Sequence, residues 1–201
     1  MESIPDLCIR EESREVVRKA EEIGWADPDS YETVFLKAED WGELKKEIQR
    51  ERENCDVLVF CGGDEELNRK SVEDGRIDVL LHPEKGRKDS GVDQVIAEKA
   101  SENSVAIGLD FRQLSAPPKK QMHILSHWRK NLKLCEKYGT PYLITTCAEE
   151  KHDLRAPRDL ESFIDSIGYN GEKTLETHQD ILERNRKILE PDTGSKEVKD
   201  A

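Results

Sequence analysis

The sequence predicts an α/β protein built on a mainly parallel sheet. Six apolar segments each precede a helical segment, and no tight hairpin signal joins neighbouring strands. Residues 80–111 show the repeat most fully, because a buried strand, a charged turn, a helix and a second strand follow one another in about thirty residues. This repeat is typical of either a doubly wound sheet or a (β/α) barrel. A full barrel usually needs roughly 250 residues, so this chain of 201 residues would form a compact or incomplete barrel.

The first half of the chain contains three strand-then-helix steps. The predicted strands cover residues 4–10, 31–37 and 56–61, and the predicted helices cover about 11–23, 40–52 and 64–73. Val16 and Ala20 lie on one face of the first helix at helical spacing. Asp40 and Glu43 form a capping pattern at the start of the second helix, and Asp64 is placed to cap the third.

The second half repeats the same pattern three more times. The predicted strands cover residues 77–81, 105–111 and 141–146, and the predicted helices cover about 91–102, 118–137 and 157–167. Pro118 and Pro157 occupy first-turn positions, where proline is compatible with a helix. No linker divides the chain, so we expect a single domain over residues 1–190. Residues 191–201 are short, polar and aperiodic, which predicts a disordered tail.

The charge of the chain is acidic overall but basic in particular loops. The balance of 32 Lys and Arg against 44 Asp and Glu gives a net charge of −12, which is opposite to the usual charge of a nucleic-acid-binding protein. Two loops that follow predicted strands carry cations, at residues 85–88 and 152–159, and a further basic cluster at residues 119–130 lies on the long helix after the fifth strand. In a barrel or doubly wound sheet such loops share one rim, so these cations could converge there. The alternative is ordinary solvated surface charge.

Four side chains could carry metal or hydrolytic chemistry. His82 and Asp110 follow consecutive predicted strands, at the end where barrel enzymes keep their catalytic groups. His123 and His127 lie four residues apart on a predicted helix and could share a metal ion, but no glutamate completes the H-E-x-x-H pattern. Only five histidines are present, which disfavours a metal-dependent hydrolase. No secretory or membrane-spanning apolar run is found, so we expect a cytoplasmic protein that does not contact membranes.

Three stretches of the sequence resemble the archaeal protein component three family of ribonuclease P, which corresponds to the thirty-kilodalton subunit of the eukaryotic enzyme. They read DVLVFCGGDEELNRKSVEDGRIDVL, LLHPEKGRKDSGVDQVIAEKASENSVAIGLDFRQL and HDLRAPRDLESFIDSIGY. The most specific motifs are KDSG at residues 88–91 and LRAPRDL at residues 154–160. The resemblance covers about residues 7–184. It implies a TIM-barrel-like fold, related to metal-dependent phosphoesterase barrels but without their metal centre.

The resemblance also implies a role inside an RNA enzyme. In this family the ribonuclease P RNA removes the 5′ leader from precursor tRNA with bound Mg²⁺, and the protein is a non-catalytic subunit that binds no cofactor itself. The implied partners are the ribonuclease P RNA, the small ferredoxin-like protein component two, other ribonuclease P proteins and, indirectly, precursor tRNA. Two alternatives stay open: a metal-dependent phosphoesterase-type hydrolase, and a scaffold that binds only protein.

The basic clusters then become candidate RNA contacts. Arg155 and Arg158 match the family's Arg-x-Pro-Arg-Asp-Leu segment, and Arg87, Lys88 and Ser90 match its charged loop. We expect phosphate contacts to dominate, because cations near the RNA backbone release condensed counterions. The full set of expected RNA-binding residues is Lys85, Arg87, Lys88, Ser90, Arg112, Lys119, Lys120, Arg129, Lys130, Arg155 and Arg158. The acidic net charge departs from the family's better-known thermophilic members, which predicts either a small RNA interface or acidic residues concentrated on the opposite face.

Overall fold

The computed structural model describes residues 4–10 and 13–189, which form one α/β architecture. The strands are β1 Thr33–Leu36, β2 Val57–Cys61, β3 Val79–Leu81, β4 Ala106–Asp110 and β5 Tyr142–Thr145. The α-helices are α1 Arg14–Glu22, α2 Trp41–Glu51, α3 Glu65–Glu73, α4 Gln94–Glu102, α5 Pro118–Tyr138, α6 Pro157–Ser166 and α7 Gly171–Leu189. Short 3₁₀ helices cover Pro28–Ser30 and Phe111–Ser115.

The strands form one parallel sheet in the order β1-β2-β3-β4-β5, so each strand neighbours the next one in sequence. The predicted α/β class and parallel sheet are confirmed. Because every connection runs in the same direction around the sheet, all the carboxyl ends of the strands meet at one edge. Strands β1 and β5 form the two sides of the described sheet, which makes the TIM-barrel-like arrangement an incomplete barrel.

Side chains alternate between the two faces of the sheet and form two apolar clusters. Val57 and Val59 lie in the inner cluster, whereas Leu58 and Phe60 lie in the outer cluster beneath the surrounding helices. All the residues that the sequence predicts for the strand core are buried: Val57, Leu58, Val59, Val79, Leu80, Val105, Ile107, Leu143 and Ile144. Burial on both faces explains why these strands read as continuous apolar runs.

The prediction of a first strand at residues 4–10 is wrong. This segment makes a single isolated bridge, Ile4 with Trp25, and turns at residues 7 and 8. Pro5 has no N–H for a ladder, and the Asp6 carboxylate accepts hydrogen bonds from Thr146 N at 3.0 Å and from two threonine hydroxyls. The segment therefore closes the gap between β1 and β5 by side-chain hydrogen bonds, which an apolar pattern does not reveal.

Helix α7 is an element that the sequence pattern does not predict, and it completes the inner core. Its Ile181 and Leu182 pack into the inner cluster. Its His178 is fully buried and joins two distant segments, because Nδ1 accepts from Leu7 N at 3.2 Å and Nε2 donates to the Ile144 carbonyl at 2.8 Å. Only a neutral imidazole can make both hydrogen bonds. Burial accordingly lowers the pKa of His178 below its ordinary value.

The state of His178 predicts an acid-sensitive fold. As the pH falls below about 6.5, His178 becomes protonated in the unfolded state while it stays neutral in the folded state. This difference lowers the free energy of unfolding by up to about 1.4 kcal/mol per pH unit. In His178→Gln the free energy of unfolding, measured by urea denaturation between pH 7 and pH 5, should fall less steeply. Identical slopes in the two proteins would contradict a buried neutral histidine.

The remaining helix predictions agree with the structure to within a few residues. Asp40, Asp64 and Asp93 each accept a backbone hydrogen bond as N-caps of α2, α3 and α4. The predicted tail at residues 191–201 lies outside the described residues, and so do residues 11 and 12 of the first predicted helix. Among the helices of the described ranges, none has the length and apolar character needed to cross a bilayer.

Candidate nucleic-acid interface

A cleft of about 490 Å³ opens at the carboxyl ends of the strands. Its walls come from the segment before α1, the loops after β1, β3 and β4, and the first half of α5. Six of its residues are basic: Arg10, Lys37, Lys85, Arg87, Arg112 and Lys120. Among the described residues that line it, Glu84 is the only one with a carboxylate, and three histidines are also present. The cleft is thus basic although the chain as a whole is acidic.

Two of the six basic residues are neutralised by ion pairs. Arg87 pairs with Asp89 at 2.8 Å and with Glu65 at 3.3 Å, and Arg112 pairs with Glu149 at 2.5 Å. The other four cations have no ion-pair partner within the described part of the chain: Arg10, Lys37, Lys85 and Lys120. The net positive charge of the cleft therefore comes from residues that only partly overlap with the predicted set.

The loop with the KDSG motif is held rigidly against α3 and α5. Gly91 has a φ of +73°, and a Cβ there would lie 2.0 Å from the Pro83 carbonyl oxygen, so only glycine fits. Asn131 donates to the Ser90 carbonyl at 2.9 Å. Ser90 itself is buried, which directs its side chain into the loop and not to solvent. Lys88 of the same motif is exposed. In this motif Ser90 and Gly91 therefore hold the loop in place, and Lys88 presents a positive charge to solvent.

His82 lines the cleft and is brought next to the buried Asp110. Gln113 Nε2 donates to His82 Nδ1 at 2.6 Å, and His82 Nε2 lies 3.3 Å from Asp110 Oδ2. Burial raises the pKa of the Asp110 carboxyl. Burial alone would also raise the pKa of the Glu84 carboxyl. Hydrogen bonds with His82 and Gln113 outweigh burial, so the pKa of Glu84 lies below its ordinary value. His82 has a left-handed φ of 55°, a strained conformation that often occurs at functional sites.

The other predicted histidine pair lies on α5. His123 and His127 line the same cleft as His82, on one face of α5. Within residues 4–10 and 13–189 no group of three or more His, Cys, Asp or Glu side chains is arranged to hold a metal ion. The arrangement therefore offers hydrogen bonds and positive charge to a ligand, and His82 with Asp110 could pass a proton.

The arginines of the LRAPRDL motif have different environments. Arg155 donates to the carbonyls of His152 and Leu154 at 2.8 and 2.7 Å, so its guanidinium stabilises its own loop. Arg158 lies in the first turn of α6, is exposed and has no ion-pair partner among the described residues. Both arginines are exposed, but only the Arg155 guanidinium has hydrogen-bond partners among the described residues, and it uses Nη1 alone for them.

The basic residues of α5 divide between two surfaces. Lys119 is exposed at the start of α5, and its neighbour Lys120 lines the cleft. Arg129 and Lys130 instead line a separate shallow groove on the outer side of α5, together with Met122, Leu125, Ser126, Lys133 and Tyr169. The predicted residues therefore do not all converge on one site.

Arg10 and Lys37 also line the cleft, and neither is among the RNA-binding residues predicted from the sequence. Lys37 directly follows β1, which is the same positional signal that singles out Lys85 after β3. Arg10 is not predicted because the apolar pattern assigns it to a strand at residues 4–10, and a rim cation is expected in a loop after a strand. A cation count over every loop that follows a strand would find Lys37.

The fold and the cleft define a TIM-barrel-like α/β protein with a basic rim at the carboxyl ends of its strands. Residues 8–190 match the family described as RNase P subunit p30. The chain belongs to this family, and a subunit role in ribonuclease P follows from that membership.

Individual relatives agree with the family match. Ribonuclease P protein component 3 of Methanocaldococcus jannaschii is 37% identical over 138 residues, which cover 68% of this chain and 60% of that protein. The protein of the same name from Methanococcus maripaludis strain C7 is 33% identical over 187 residues, covering 91% of this chain and 80% of that protein. A chain in a cryo-EM structure of archaeal ribonuclease P with mature tRNA has a TM-score of 0.77 and 32% identity, and the match covers 90% of this chain and 80% of that one.

Proposed function

We propose that this chain is a non-catalytic subunit that supports the ribonuclease P RNA during removal of the 5′ leader from precursor tRNA. The observation that carries the proposal is the basic cleft at the carboxyl ends of the strands, where four cations lack an ion-pair partner in the described part of a chain of net charge −12. Cations on a rigid rim need no reordering of the backbone when they meet phosphate, and unpaired cations have no ion pair to break first. They also displace the counterions of the RNA backbone.

The partners follow from the same proposal. The RNA lies against the rim, protein component two and other ribonuclease P proteins complete the assembly, and precursor tRNA is contacted through the assembled enzyme. Mg²⁺ is used by the RNA, and the chain contributes charge and position without a cofactor of its own. The similarity to a chain in the archaeal ribonuclease P assembly with tRNA supports this arrangement.

A reconstitution assay tests the proposal directly. Ribonuclease P RNA is combined with component two and the other protein subunits, with and without this chain, and precursor tRNA cleavage is measured across a Mg²⁺ series. The chain should lower the Mg²⁺ concentration needed for half-maximal cleavage, because its cations replace part of the charge that Mg²⁺ neutralises. Isolated, the chain should cleave neither precursor tRNA nor a generic phosphodiester.

Two matched double variants test whether the lowered Mg²⁺ requirement depends on the cations of the rim. Lys85→Gln with Lys88→Gln removes two exposed rim cations and should raise the Mg²⁺ requirement, whereas Lys45→Gln with Lys46→Gln on α2 should behave as the unmodified chain. For each phosphate that a variant no longer neutralises, the log-log salt dependence of RNA binding should become shallower by about 0.7 to 0.9 units.

Three results would refute parts of the proposal. Equal behaviour of the two double variants, with no RNA crosslink in the holoenzyme, would indicate a scaffold that binds only protein. Turnover by the isolated chain that is abolished in His82→Ala would indicate a hydrolase. An unchanged Mg²⁺ requirement on omission of the chain would refute a supporting role.

A further inference from the structure

Two residues that line the cleft have hydrogen-bonding capacity that the described residues do not use. Arg10 Nε and Gln113 Oε1 are both buried, and neither has a hydrogen-bond partner within the described ranges. Gln113 already donates through Nε2 to His82 and to Glu84, so its unused atom is an acceptor. Buried polar groups almost always have a partner. Among the described residues, the lining of the cleft therefore has one spare donor and one spare acceptor.

Arg10 is unusual among the arginines of the cleft because no carboxylate of the described residues pairs with it. Its guanidinium carbon lies 4.6 Å above the ring of Phe35, and its Nη2 donates to the sulfur of Cys61 at 3.7 Å. A thiol is a weak acceptor. The backbone of Arg10 is anchored by a hydrogen bond to the Ala148 carbonyl at 2.8 Å. Within residues 4–10 and 13–189, Arg10 is thus a positioned guanidinium with no carboxylate at ion-pair distance, and its planar fork matches a phosphate group.

The cleft is larger than a phosphate group requires. Its volume of about 490 Å³ lies in the range of sites that enclose a small organic molecule. On the α5 side, His123, Ile124 and His127 line the cleft at spacings that place them on one helical face. Imidazole rings are among the side chains on which unpaired RNA bases stack. Phosphate-binding groups and base-stacking groups thus line the same cleft.

We propose that this cleft receives a single unpaired nucleotide of the RNA, with its phosphate on Arg10 and Lys37 and its base against His123 and His127. The inference rests on the proposed function, because that function brings RNA to the rim. A free mononucleotide would satisfy the same groups. The test therefore has two arms. The first measures whether the cleft binds a nucleotide, and the second determines whether that nucleotide belongs to the RNA or is a free mononucleotide.

The first arm uses the isolated full-length chain with 5′-AMP and with adenosine as probes. Binding is followed by NMR through the ring protons of His123 and His127. 5′-AMP should bind and adenosine should bind much more weakly. Arg10→Gln should weaken 5′-AMP binding about tenfold or more, since it removes a hydrogen-bonded charge. Lys37→Gln removes an exposed cation without disturbing the fold and should weaken binding in the same direction.

Arg18→Gln is the matched control, because Arg18 is exposed on α1 and does not line the cleft. It should bind 5′-AMP as the unmodified chain does. The pocket is refuted if 5′-AMP does not bind, or if Arg10→Gln and Lys37→Gln both bind it as tightly as the control.

The second arm uses the reconstituted holoenzyme and probes RNA base reactivity at single-nucleotide resolution. With Arg10→Gln one short unpaired segment should become more reactive, whereas Arg18→Gln should leave the pattern unchanged. An identical pattern in all three holoenzymes, despite 5′-AMP binding in the first arm, would assign the pocket to a free mononucleotide and overturn the RNA source. If the pocket fails but omission of the chain still raises the Mg²⁺ requirement, the proposed function stands without this inference.

Discussion

Replacing Asp78 with alanine should lower the free energy of unfolding by about 3 to 5 kcal/mol, the usual cost of breaking a buried ion pair. Asp78 is 1% exposed at the start of β3. Its Oδ2 accepts from Arg52 at 2.6 Å and from Leu58 N at 2.7 Å, and its Oδ1 accepts from Arg184 at 2.6 Å and from Asn185 at 2.9 Å. The substitution would leave these four donors without their acceptor, two of them on charged groups.

The loss of stability should be specific to the buried position. Glu22 also contacts two cations, Arg18 and Lys19, each at 3.5 Å, but its side chain is about half exposed. Because exposed ion pairs contribute little, Glu22→Ala should change stability by less than about 1 kcal/mol. Urea denaturation of both variants measures the difference. Comparable losses of stability in the two variants would show that Asp78 does not tie α7 and α2 to the sheet.

Truncating Ile107 to alanine should cost about 2 to 5 kcal/mol. Ile107 is the second residue of β4, is 1% exposed and pairs in register with Leu80 on β3 and Tyr142 on β5. Its side chain belongs to the outer cluster between the sheet and the helices. Because both neighbouring strands hold the backbone in place, the surroundings can collapse only partly into the space that the truncation leaves.

Ile188→Ala provides the same chemical change at an exposed site. Ile188 lies near the end of α7 and is 69% exposed, so its truncation should change stability by less than about 0.5 kcal/mol. The free energies of unfolding of the two variants can be compared at one pH and one salt concentration. A loss below about 0.5 kcal/mol for Ile107→Ala would contradict its placement in the core strand.

The sheet is predictable because its determinants are local. Apolar runs at 56–61 and 77–81 and the caps at Asp40 and Asp64 specify strands and helices through the residues next to them, and parallel order follows from the repeat. The prediction for the first segment fails because its apolar residues match a strand pattern. Its conformation is set by threonines about 140 residues away that bind the Asp6 carboxylate.

In the candidate site too, some features follow from the sequence and others depend on contacts between distant residues. Loops that follow parallel strands share one rim, so the sequence could place Lys85 and Lys120 near one another. It could not show that Arg87 and Arg112 are ion-paired, because Glu65 and Glu149 meet them only after folding.

The sequence by itself determined the α/β repeat, the buried strand residues and the family, because these depend on local periodicity and on contiguous motifs. The tertiary structure alone decided how the barrel is closed and which cations of the rim remain unpaired. Arg10 reaches the cleft because its backbone bonds to Ala148 beyond β5. Helix α7 joins the inner core through the bond between His178 and Leu7 and the bond between Asn185 and Asp78, which span 171 and 107 positions of the chain. Contacts over such separations leave no periodic signal in the sequence, so only the folded chain reveals them.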